Sequence, residues 1–284
     1  LDRNYPQAYL NRGIANLRLN NINQAIEDLD QAIIRMPKSS KALSIRGMAL
    51  ASLDQLELSI KDFELASQLS PNDHLIFNNL GVTQYKLGLI ESSIVSFSRA
   101  LEINNSYPSA LLNRALAYVK KGTPSLALDD LTSAIVNKTN FTEAILERAS
   151  LYFDLGEFEL SSKDFSKVAT LQPINSKQWS LWALVTSLRS GKNLNSSQTP
   201  QTEGDNSFWT NVLLSLFLNE ITFDEASSQL NNFSNLNDEA SAKFFLGTYK
   251  ILEGEEFEAI EFFKETLLID NPRSYAYSAA RSEL

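Results

Sequence analysis

The chain has 284 residues, 43% hydrophobic and 21% charged, so it is long enough to bury a sizeable core. Its formal charge of -9 and its isoelectric point near 4.8 argue against a general nucleic-acid surface. The absence of cysteine excludes disulfides, thiolate chemistry and cysteine-based zinc sites, and no apolar run is long enough to span a membrane.

The first residues read as the end of a repeat. The chain begins at Leu1 without a methionine, and Asp-Arg-Asn-Tyr-Pro at 2–6 is similar to Asn-Asn-Ser-Tyr-Pro at 104–108. We therefore expect residues 1–5 to be the tail of a preceding repeat, in a fragment of a longer protein. A signal, an anchor or a further domain would then lie upstream.

A 34-residue period follows, and we count positions from the first residue of each repeat. The five repeats are 6–39, 40–73, 74–107, 108–141 and 142–175. Position 8 is small in every repeat, namely Gly13, Gly47, Gly81, Ala115 and Ala149. Position 24 is large and apolar, namely Leu29, Phe63, Phe97, Leu131 and Phe165. Two antiparallel helices approach closely where small residues face large ones, so the spacing predicts five helical hairpins.

The pattern resembles the tetratricopeptide repeat, W-x-x-L-G-x-x-Y followed by A-x-x-x-F, an alanine and a proline. Pro37, Pro71 and Pro173 hold the proline position in three repeats, and the register is unbroken over residues 6–175. The resemblance implies an all-α fold, a right-handed α-solenoid (superhelix) of helix-turn-helix units. It also implies that the first helix of each repeat lines a concave groove.

Two columns of the repeat vary together. Position 7 carries Arg12, Arg46, Leu80, Arg114 and Arg148, and position 23 carries Asp28, Asp62, Ser96, Asp130 and Asp164. The repeat that lacks the arginine also lacks the aspartate. Pairing between neighbouring repeats would leave orphan partners, so we predict a guanidinium–carboxylate contact inside each repeat. These arginines are then part of the scaffold and not of a ligand site.

The register breaks after Pro173. We expect degenerate helical repeats over 176–239 with a polar loop at 189–207, a further repeat over 240–273, and a capping helix over 274–284. The "SLW" helix, the polar loop, the "W-x-N" helix and the "F-x-LG-x-Y" repeat are similar to the bacterial family named new lipoprotein I. That resemblance implies a periplasmic, outer-membrane-anchored adaptor for a protease, although the chain has no lipid-bearing cysteine. A cytoplasmic location is the alternative.

Binding is predicted on the groove side of the first helices. Position 6 carries Asn11, Asn79 and Asn113, and an asparagine ladder can hydrogen-bond the backbone of an extended peptide whatever its sequence. The candidate groove residues are completed by Asn78, Tyr85, Arg18, Lys41, Lys86 and Lys120. The alternative is that the asparagines cap turns and that the cations form a solvated fringe.

The charge of this face predicts the partner. Repeats one to four present the cations, whereas repeat five presents Glu143, Glu147 and Asp154. A groove that is basic at one end and acidic at the other would orient a peptide. We therefore expect a protein or peptide partner with acidic residues, bound in the groove of repeats one to four.

Catalytic chemistry is not predicted. The single histidine, His74, reads as a solvated turn residue, no metal-ligand cluster, phosphate loop or nucleophile motif is present, and no cofactor is expected. Trp179, Trp182 and Trp209 are predicted to be core. The sequence favours a non-catalytic interaction scaffold. The alternatives are a homodimerisation module that uses the C-terminal region, and a regulatory domain of a larger enzyme.

Overall fold

The computed structural model describes most of the chain, namely residues 5–192, 208–230, 233, 235–269 and 274–284. Helix is the only regular secondary structure in those ranges. The chain divides into two compact units, residues 1–139 and 140–284, which we call the N-terminal and C-terminal units. The first four repeats therefore belong to the N-terminal unit, and repeat five belongs to the C-terminal unit.

Each repeat of the N-terminal unit is a helical hairpin. In chain order the helices are α1 Pro6–Arg18, α2 Ile22–Arg35, α3 Ser40–Ser52, α4 Leu56–Leu69, α5 His74–Lys86, α6 Ile90–Ile103, α7 Pro108–Lys121 and α8 Pro124–Asn137. Every helix packs against the next one along the chain. The structure therefore has the predicted all-α solenoid architecture, in which short turns join antiparallel neighbours.

Small-against-large packing holds each hairpin together, as the sequence predicts. The glycines at position 8 have little room for a side chain because the residue at position 24 lies directly opposite. A Cβ would lie 2.9 Å from Leu29 at Gly13, 3.1 Å from Phe63 at Gly47 and 2.6 Å from Phe97 at Gly81. The three glycines are thus equivalent in successive hairpins, and the facing side chains are at most 1% exposed.

The predicted arginine–aspartate pairs are confirmed. The Nε–Oδ2 distances are 2.8 Å for Arg12–Asp28 and 2.7 Å for Arg46–Asp62, Arg114–Asp130 and Arg148–Asp164. Each arginine lies on the first helix of its repeat, and the aspartate lies on the second helix of the same repeat. The pairs therefore clamp the two helices of each hairpin, and the arginines are scaffold residues.

Repeat three replaces the ion pair with a neutral one. Ser96 donates a hydrogen bond of 2.7 Å to Oε1 of Gln84, and both residues are buried. Leu80 occupies the place of the arginine and is 6% exposed. The third hairpin is therefore held by an apolar contact and a buried hydroxyl–amide bond, which the sequence pattern alone does not reveal.

Arg46 and Arg114 also reach the preceding repeat. Nη1 of Arg46 lies 2.7 Å from Oδ1 of Asp30, and Nη1 of Arg114 lies 3.0 Å from the hydroxyl of Ser98. Hydrogen bonding to Asp130 raises the pKa of Arg114, although burial opposes the shift. The guanidinium group of each of these arginines thus joins neighbouring hairpins as well as the two helices of its own hairpin.

The turn inside every hairpin has one residue in the left-handed region, at position 15. The φ values are 61° at Asn20, 59° at Asp54, 83° at Gly88, 79° at Gly122 and 75° at Gly156. Glycine adopts this conformation without the steric cost that a Cβ imposes.

We expect Asn20→Gly and Asp54→Gly each to stabilise the N-terminal unit by about 0.5 kcal/mol, because asparagine and aspartate tolerate φ > 0 less well than glycine. Urea denaturation followed by circular dichroism measures the change. The reverse substitution, Gly88→Asn, is the matched control and should destabilise by a similar amount. Destabilisation by both glycine variants would contradict the explanation.

The C-terminal unit contains repeat five and the irregular region. Its helices are α9 Thr142–Asp154, α10 Phe158–Leu171, α11 Ser176–Arg189, α12 Phe208–Phe217, α13 Phe223–Gln229, α14 Leu236–Glu253, α15 Glu256–Leu268 and α16 Tyr275–Glu283, with a 3₁₀ turn at Pro173–Asn175. Arg189 is helical, whereas the sequence places it in the polar loop. Residues 193–207 of that loop lie outside the described residues.

An aromatic core fills this unit. Trp182 is 2% exposed and stacks against Phe244 at 5.0 Å and Phe165 at 5.3 Å, measured between ring centroids. Trp179 and Trp209 are both 6% exposed. The prediction that all three tryptophans are core residues is confirmed.

Candidate functional site

The first helices define the concave side of the N-terminal unit. Contacts link α1 with α3, α3 with α5, and α5 with α7, whereas the second helices of successive repeats approach one another less closely. A stack of hairpins curves toward the layer in which the helices lie closer together. The surface of α1, α3, α5 and α7 that faces away from the second helices is therefore the inside of the curve.

Three asparagine side chains on this surface form a chain of amides. Nδ2 of Asn113 donates to Oδ1 of Asn78 at 3.0 Å, and Nδ2 of Asn78 lies 3.5 Å from Oδ1 of Asn79. Asn113 lies on α7 and the other two lie on α5, so the chain joins the first helices of repeats three and four. We call these three residues the amide chain.

The members of the amide chain are not equally accessible. Asn78 is 6% exposed, so its side chain positions Asn113 and is not an open contact for a ligand. Asn79 and Asn113 are half-buried. Among the described residues, neither Oδ1 of Asn113 nor Nδ2 of Asn79 has a hydrogen-bond partner. One free acceptor and one free donor match the N–H and C=O groups of a peptide backbone.

Asn11, the third asparagine at position 6, is separate from the amide chain. It lies on α1, is exposed, and accepts a hydrogen bond of 3.2 Å from Nε2 of Gln7. In repeat two the same position is Ile45, which packs against a core cluster. The asparagines therefore do not form a continuous ladder along the unit.

Four predicted cations are exposed on the first helices, namely Arg18, Lys41, Lys86 and Lys120. Three of them occupy position 13 of their repeats, and Lys41 occupies position 2. No described residue forms an ion pair with any of the four, in contrast to the arginines at position 7. We call them the cationic set.

Apolar side chains lie among these polar groups. Met48 is 52% exposed, Leu75 is 49% exposed and Val119 is 43% exposed, and all three belong to first helices. Tyr85, which was predicted to lie in the groove, is half-buried on α5. Alternating apolar and hydrogen-bonding groups are typical of surfaces that bind an extended peptide.

The structure corrects the prediction for His74. It is the first residue of α5 and is half-buried, not a solvated turn residue. Its ring packs edge-on against Tyr107 with 5.0 Å between centroids, and its Nε2 lies 3.4 Å from Nδ2 of Asn104. His74 therefore helps to hold the start of α5 against the segment that joins α6 to α7.

The acidic residues of repeat five differ in exposure, since Glu143 and Asp154 are exposed and Glu147 is half-buried. Helix α16 packs against α9 as well as against α14 and α15, so it is more than a cap on the last hairpin. The side chain of Tyr275 favours the ionised form of Glu147 and opposes the rise in its pKa that desolvation causes, and Ser282 has the same effect on the pKa of Asp154. Glu143 and Asp154 therefore remain accessible, and the acidic end of the groove stays a prediction.

The pKa values of Glu147 and Asp154 are both raised above their ordinary values. Desolvation raises the pKa of Asp154 to about 6, and the negative charge of Glu283 acts in the same direction. Desolvation also raises the pKa of Glu147, against the opposing effect of the side chain of Tyr275. Nothing in the sequence pattern signals this contact, because it depends on where α16 lies.

A cavity of about 360 Å³ lies beside the start of α16 in the C-terminal unit. Gln178, Trp182, Asp238, Ser241 and Tyr275 are among the residues that line it. Asp238 also accepts a hydrogen bond of 2.8 Å from Nδ2 of Asn235. The described residues contain neither a group of acidic and histidine side chains placed to bind a metal ion nor a helix suited to crossing a membrane.

Comparisons with known proteins agree with this architecture. Profiles of the tetratricopeptide repeat family match residues 5–74, 75–107 and 142–175. Repeat four falls outside these matches, but its hairpin carries the same Arg114–Asp130 clamp. No curated protein matches the sequence.

Several solved structures are similar in fold. PilF from Pseudomonas aeruginosa has a TM-score of 0.57 at 17% identity, with 92% of this chain and 97% of that chain covered. MamA from Desulfovibrio magneticus RS-1 has a TM-score of 0.56 at 16% identity, covering 60% and 96%. YrrB, described as a TPR protein with an unusual peptide-binding site, has a TM-score of 0.53 at 17% identity, covering 64% and 92%.

Identities this low establish the fold alone. Together with the repeat profiles and the clamped hairpins, they show an architecture that typically serves as a non-catalytic scaffold for binding proteins or peptides. The chain therefore contains tetratricopeptide repeats, which the family profiles match over residues 5–107 and 142–175.

Proposed function

We propose that the concave side of the N-terminal unit binds an extended, acidic segment of a partner protein. The observation that carries the proposal is the coexistence of the cationic set with the two free hydrogen-bonding groups of the amide chain. Asn79 and Asn113 would hold the peptide backbone, and the lysines would select negative side chains. Met48, Leu75 and Val119 would contribute apolar contact area.

The cationic set supports this proposal because none of its four side chains forms an ion pair with a described residue. Arg18, Lys86 and Lys120 lie in the last turns of their helices, where a cation also interacts favourably with the helix dipole. That role explains single cations at helix ends. It does not explain why a chain with a formal charge of -9 keeps four unpaired cations on one set of helices.

Reversing two of these charges, Lys86→Glu/Lys120→Glu, should weaken binding of an acidic peptide by about tenfold or more, because like charges then face each other. The probe is a short fluorescein-labelled peptide of alternating aspartate and glycine, titrated by fluorescence anisotropy at low salt. The matched control is Lys61→Glu, which reverses an exposed charge on the second helix α4. Equal affinity for the double variant and the wild type would refute the charge selection.

The same titration with Asn79→Ala/Asn113→Ala tests the amide chain. Affinity should fall for the acidic peptide and for a peptide of alternating serine and glycine, since the backbone contacts do not depend on charge. A lysine–glycine peptide serves as the non-binding control. Unchanged affinity in a variant whose helical signal is intact would exclude the two asparagines from the site.

The resemblance to new lipoprotein I implies a more specific function, that of an adaptor, which we also propose. An adaptor brings a substrate to a protease, so it needs one surface for each protein. The N-terminal groove supplies one candidate surface. The strongly exposed Phe257, at 90%, and Leu268, at 81%, mark another on α15, which would equally serve a homodimer. Light scattering of Phe257→Ser distinguishes these roles, because only the homodimer would dissociate.

A further inference from the structure

Acidic and basic residues are separated between the two helix layers of the N-terminal unit. The first helices, α1, α3, α5 and α7, contain no aspartate and no glutamate. The helical acidic residues of this unit therefore all lie on the second helices, α2, α4, α6 and α8. Since the two layers form opposite sides of each hairpin, one side of the unit is basic and the other is mainly acidic.

The scaffold uses only part of the acidic charge. The clamps bind three aspartates, Asp30 pairs with Arg46, and Glu102 pairs with Arg99. The other acidic residues of the second helices are exposed and form no ion pair with a described residue, namely Glu27, Glu57, Glu64, Glu91 and Asp129. The second helices thus carry unpaired carboxylates, just as the first helices carry the unpaired cationic set.

The unpaired carboxylates share one face of the second helices. They occupy positions 18, 22 and 25 of their repeats, and positions 18, 22, 25 and 29 lie on one side of an α-helix. This side points away from positions 20, 24 and 27, which are buried in all four repeats. Ile34, Val95 and Val136 also lie on it and are about 70% exposed, and its one cation is Lys61. We call these four positions of α2, α4, α6 and α8 the outer stripe.

The outer stripe complements the concave side in charge, composition and curvature. On the concave side the cationic set lies among the exposed Met48 and Leu75, whereas on the outer stripe carboxylates lie among exposed aliphatic side chains. Surfaces of opposite charge attract and orient each other, and surfaces of like charge repel. Because the stack curves toward the first helices, the second helices form its convex side, which can enter the concave side of another copy.

We propose that a second copy of this chain docks its outer stripe on the concave side of the N-terminal unit. The two surfaces lie on opposite sides of the same hairpins, so they cannot meet within one copy. A two-fold dimer would place each surface against its own like charge. The contact is therefore head-to-tail, and it leaves one concave side and one outer stripe free to bind further copies.

Self-association regulates the peptide site. A docked copy covers Asn79, Lys86 and Lys120, so an acidic peptide has to displace it before it can bind. This competition rests on the peptide binding proposed above, whereas the self-association rests on the complementary surfaces alone.

Sedimentation velocity of the full chain at low salt tests the self-association. The average sedimentation coefficient should increase with protein concentration without levelling off at a dimer, and high salt should suppress the increase because it screens exposed charges. Glu57→Lys/Glu64→Lys reverses two charges of the outer stripe and should lower the association constant about tenfold or more, while the affinity for the acidic peptide stays unchanged. The matched control Asp224→Lys/Glu253→Lys makes the same change in net charge at exposed residues of the C-terminal unit and should associate like the wild type.

Mixing two variants identifies the surfaces that meet. Lys86→Glu/Lys120→Glu alters the concave side and should lower the association constant by a similar factor, about tenfold. An equimolar mixture with Glu57→Lys/Glu64→Lys should form complexes with the wild-type affinity, because the first variant retains its outer stripe and the second retains its concave side. A wild type that stays monomeric at every concentration, a dimer that persists in both variants, or a mixture no better than its components would overturn the proposal.

The acidic peptide separates this inference from the proposed function. Saturating aspartate–glycine peptide should dissociate the wild-type assemblies, and the lysine–glycine peptide should not. Peptide binding by a chain that never self-associates would refute the self-association alone. Self-association of a chain that binds no acidic peptide would refute the proposed function alone. A peptide that binds and leaves the assemblies intact would show that the outer stripe does not dock on the concave side.

Discussion

Replacing Asp130 with serine should destabilise the N-terminal unit by about 3 kcal/mol, because the change leaves the guanidinium of Arg114 partly buried without its carboxylate. The side chains of Arg114 and Asp130 are only 21% and 9% exposed. Solvent therefore compensates little for the loss. Urea denaturation followed by circular dichroism gives the free energy of unfolding.

Repeat three indicates which further substitutions should restore the stability of the Asp130→Ser variant. Repeat three holds the equivalent positions with Leu80, Ser96 and Gln84, and no charge is buried there. Transplanting that solution as Arg114→Leu/Tyr118→Gln/Asp130→Ser should recover most of the lost stability, since neutral groups of suitable shape can replace a buried ion pair at little cost. Tyr118 is included because its ring lies under the guanidinium of Arg114, and the distance from the ring centre to Cζ of Arg114 is 5.8 Å.

A neighbouring carboxylate provides the control. Asp129 is exposed, so Asp129→Ser should change the stability by less than about 0.5 kcal/mol. If Asp130→Ser were equally mild, or if the triple variant were no better than Asp130→Ser alone, the clamp would be a surface ion pair of little energetic value.

The clamp also shows why the sequence predicted so much of the scaffold. The helices, their small-against-large contacts and the arginine–aspartate pairs repeat at fixed intervals, so each repeat is an independent test of the same arrangement. The one repeat without the arginine also lacks the aspartate, and this joint absence identified the partner. Such information exists in a single sequence only because the chain repeats itself.

Features that occur once were not predictable in this way. The burial of Asn78 and its bond to Asn113 depend on the distance between two first helices, which no periodicity encodes. The contact between Tyr275 and Glu147 joins residues more than a hundred positions apart through an irregular region. His74 was misassigned because its position at a turn is local, whereas its packing against Tyr107 is tertiary.

The candidate groove was partly predictable. Exposure of the cationic set follows from its positions in the repeat, so the sequence identified charged groups that the structure leaves unpaired. The expected asparagine ladder reduces to a local amide chain because repeat two has Ile45 at the ladder position. The sequence determines which polar side chains the first helices carry, whereas the spacing between helices determines which of these side chains form hydrogen bonds with one another.

The small-against-large rule makes a second strong prediction. Gly81→Ala should destabilise the N-terminal unit by about 2 kcal/mol, because the added Cβ would lie 2.6 Å from Cε1 of Phe97. The ring is 1% exposed and cannot swing into solvent, so the two helices must separate. The intrinsic preference of alanine for helix, worth about 1 kcal/mol, opposes this cost only in part.

Gly47→Ala is the matched control, since its Cβ would approach Phe63 to 3.1 Å. There a small shift of the ring suffices, so the helical preference of alanine should make the variant nearly neutral. Phe97→Leu should then improve the Gly81→Ala background, because the pair reproduces Ala115 and Leu131, which repeat four already contains. Equal stability of the two alanine variants in urea denaturation would show that hairpin spacing, not side-chain size, sets the contact.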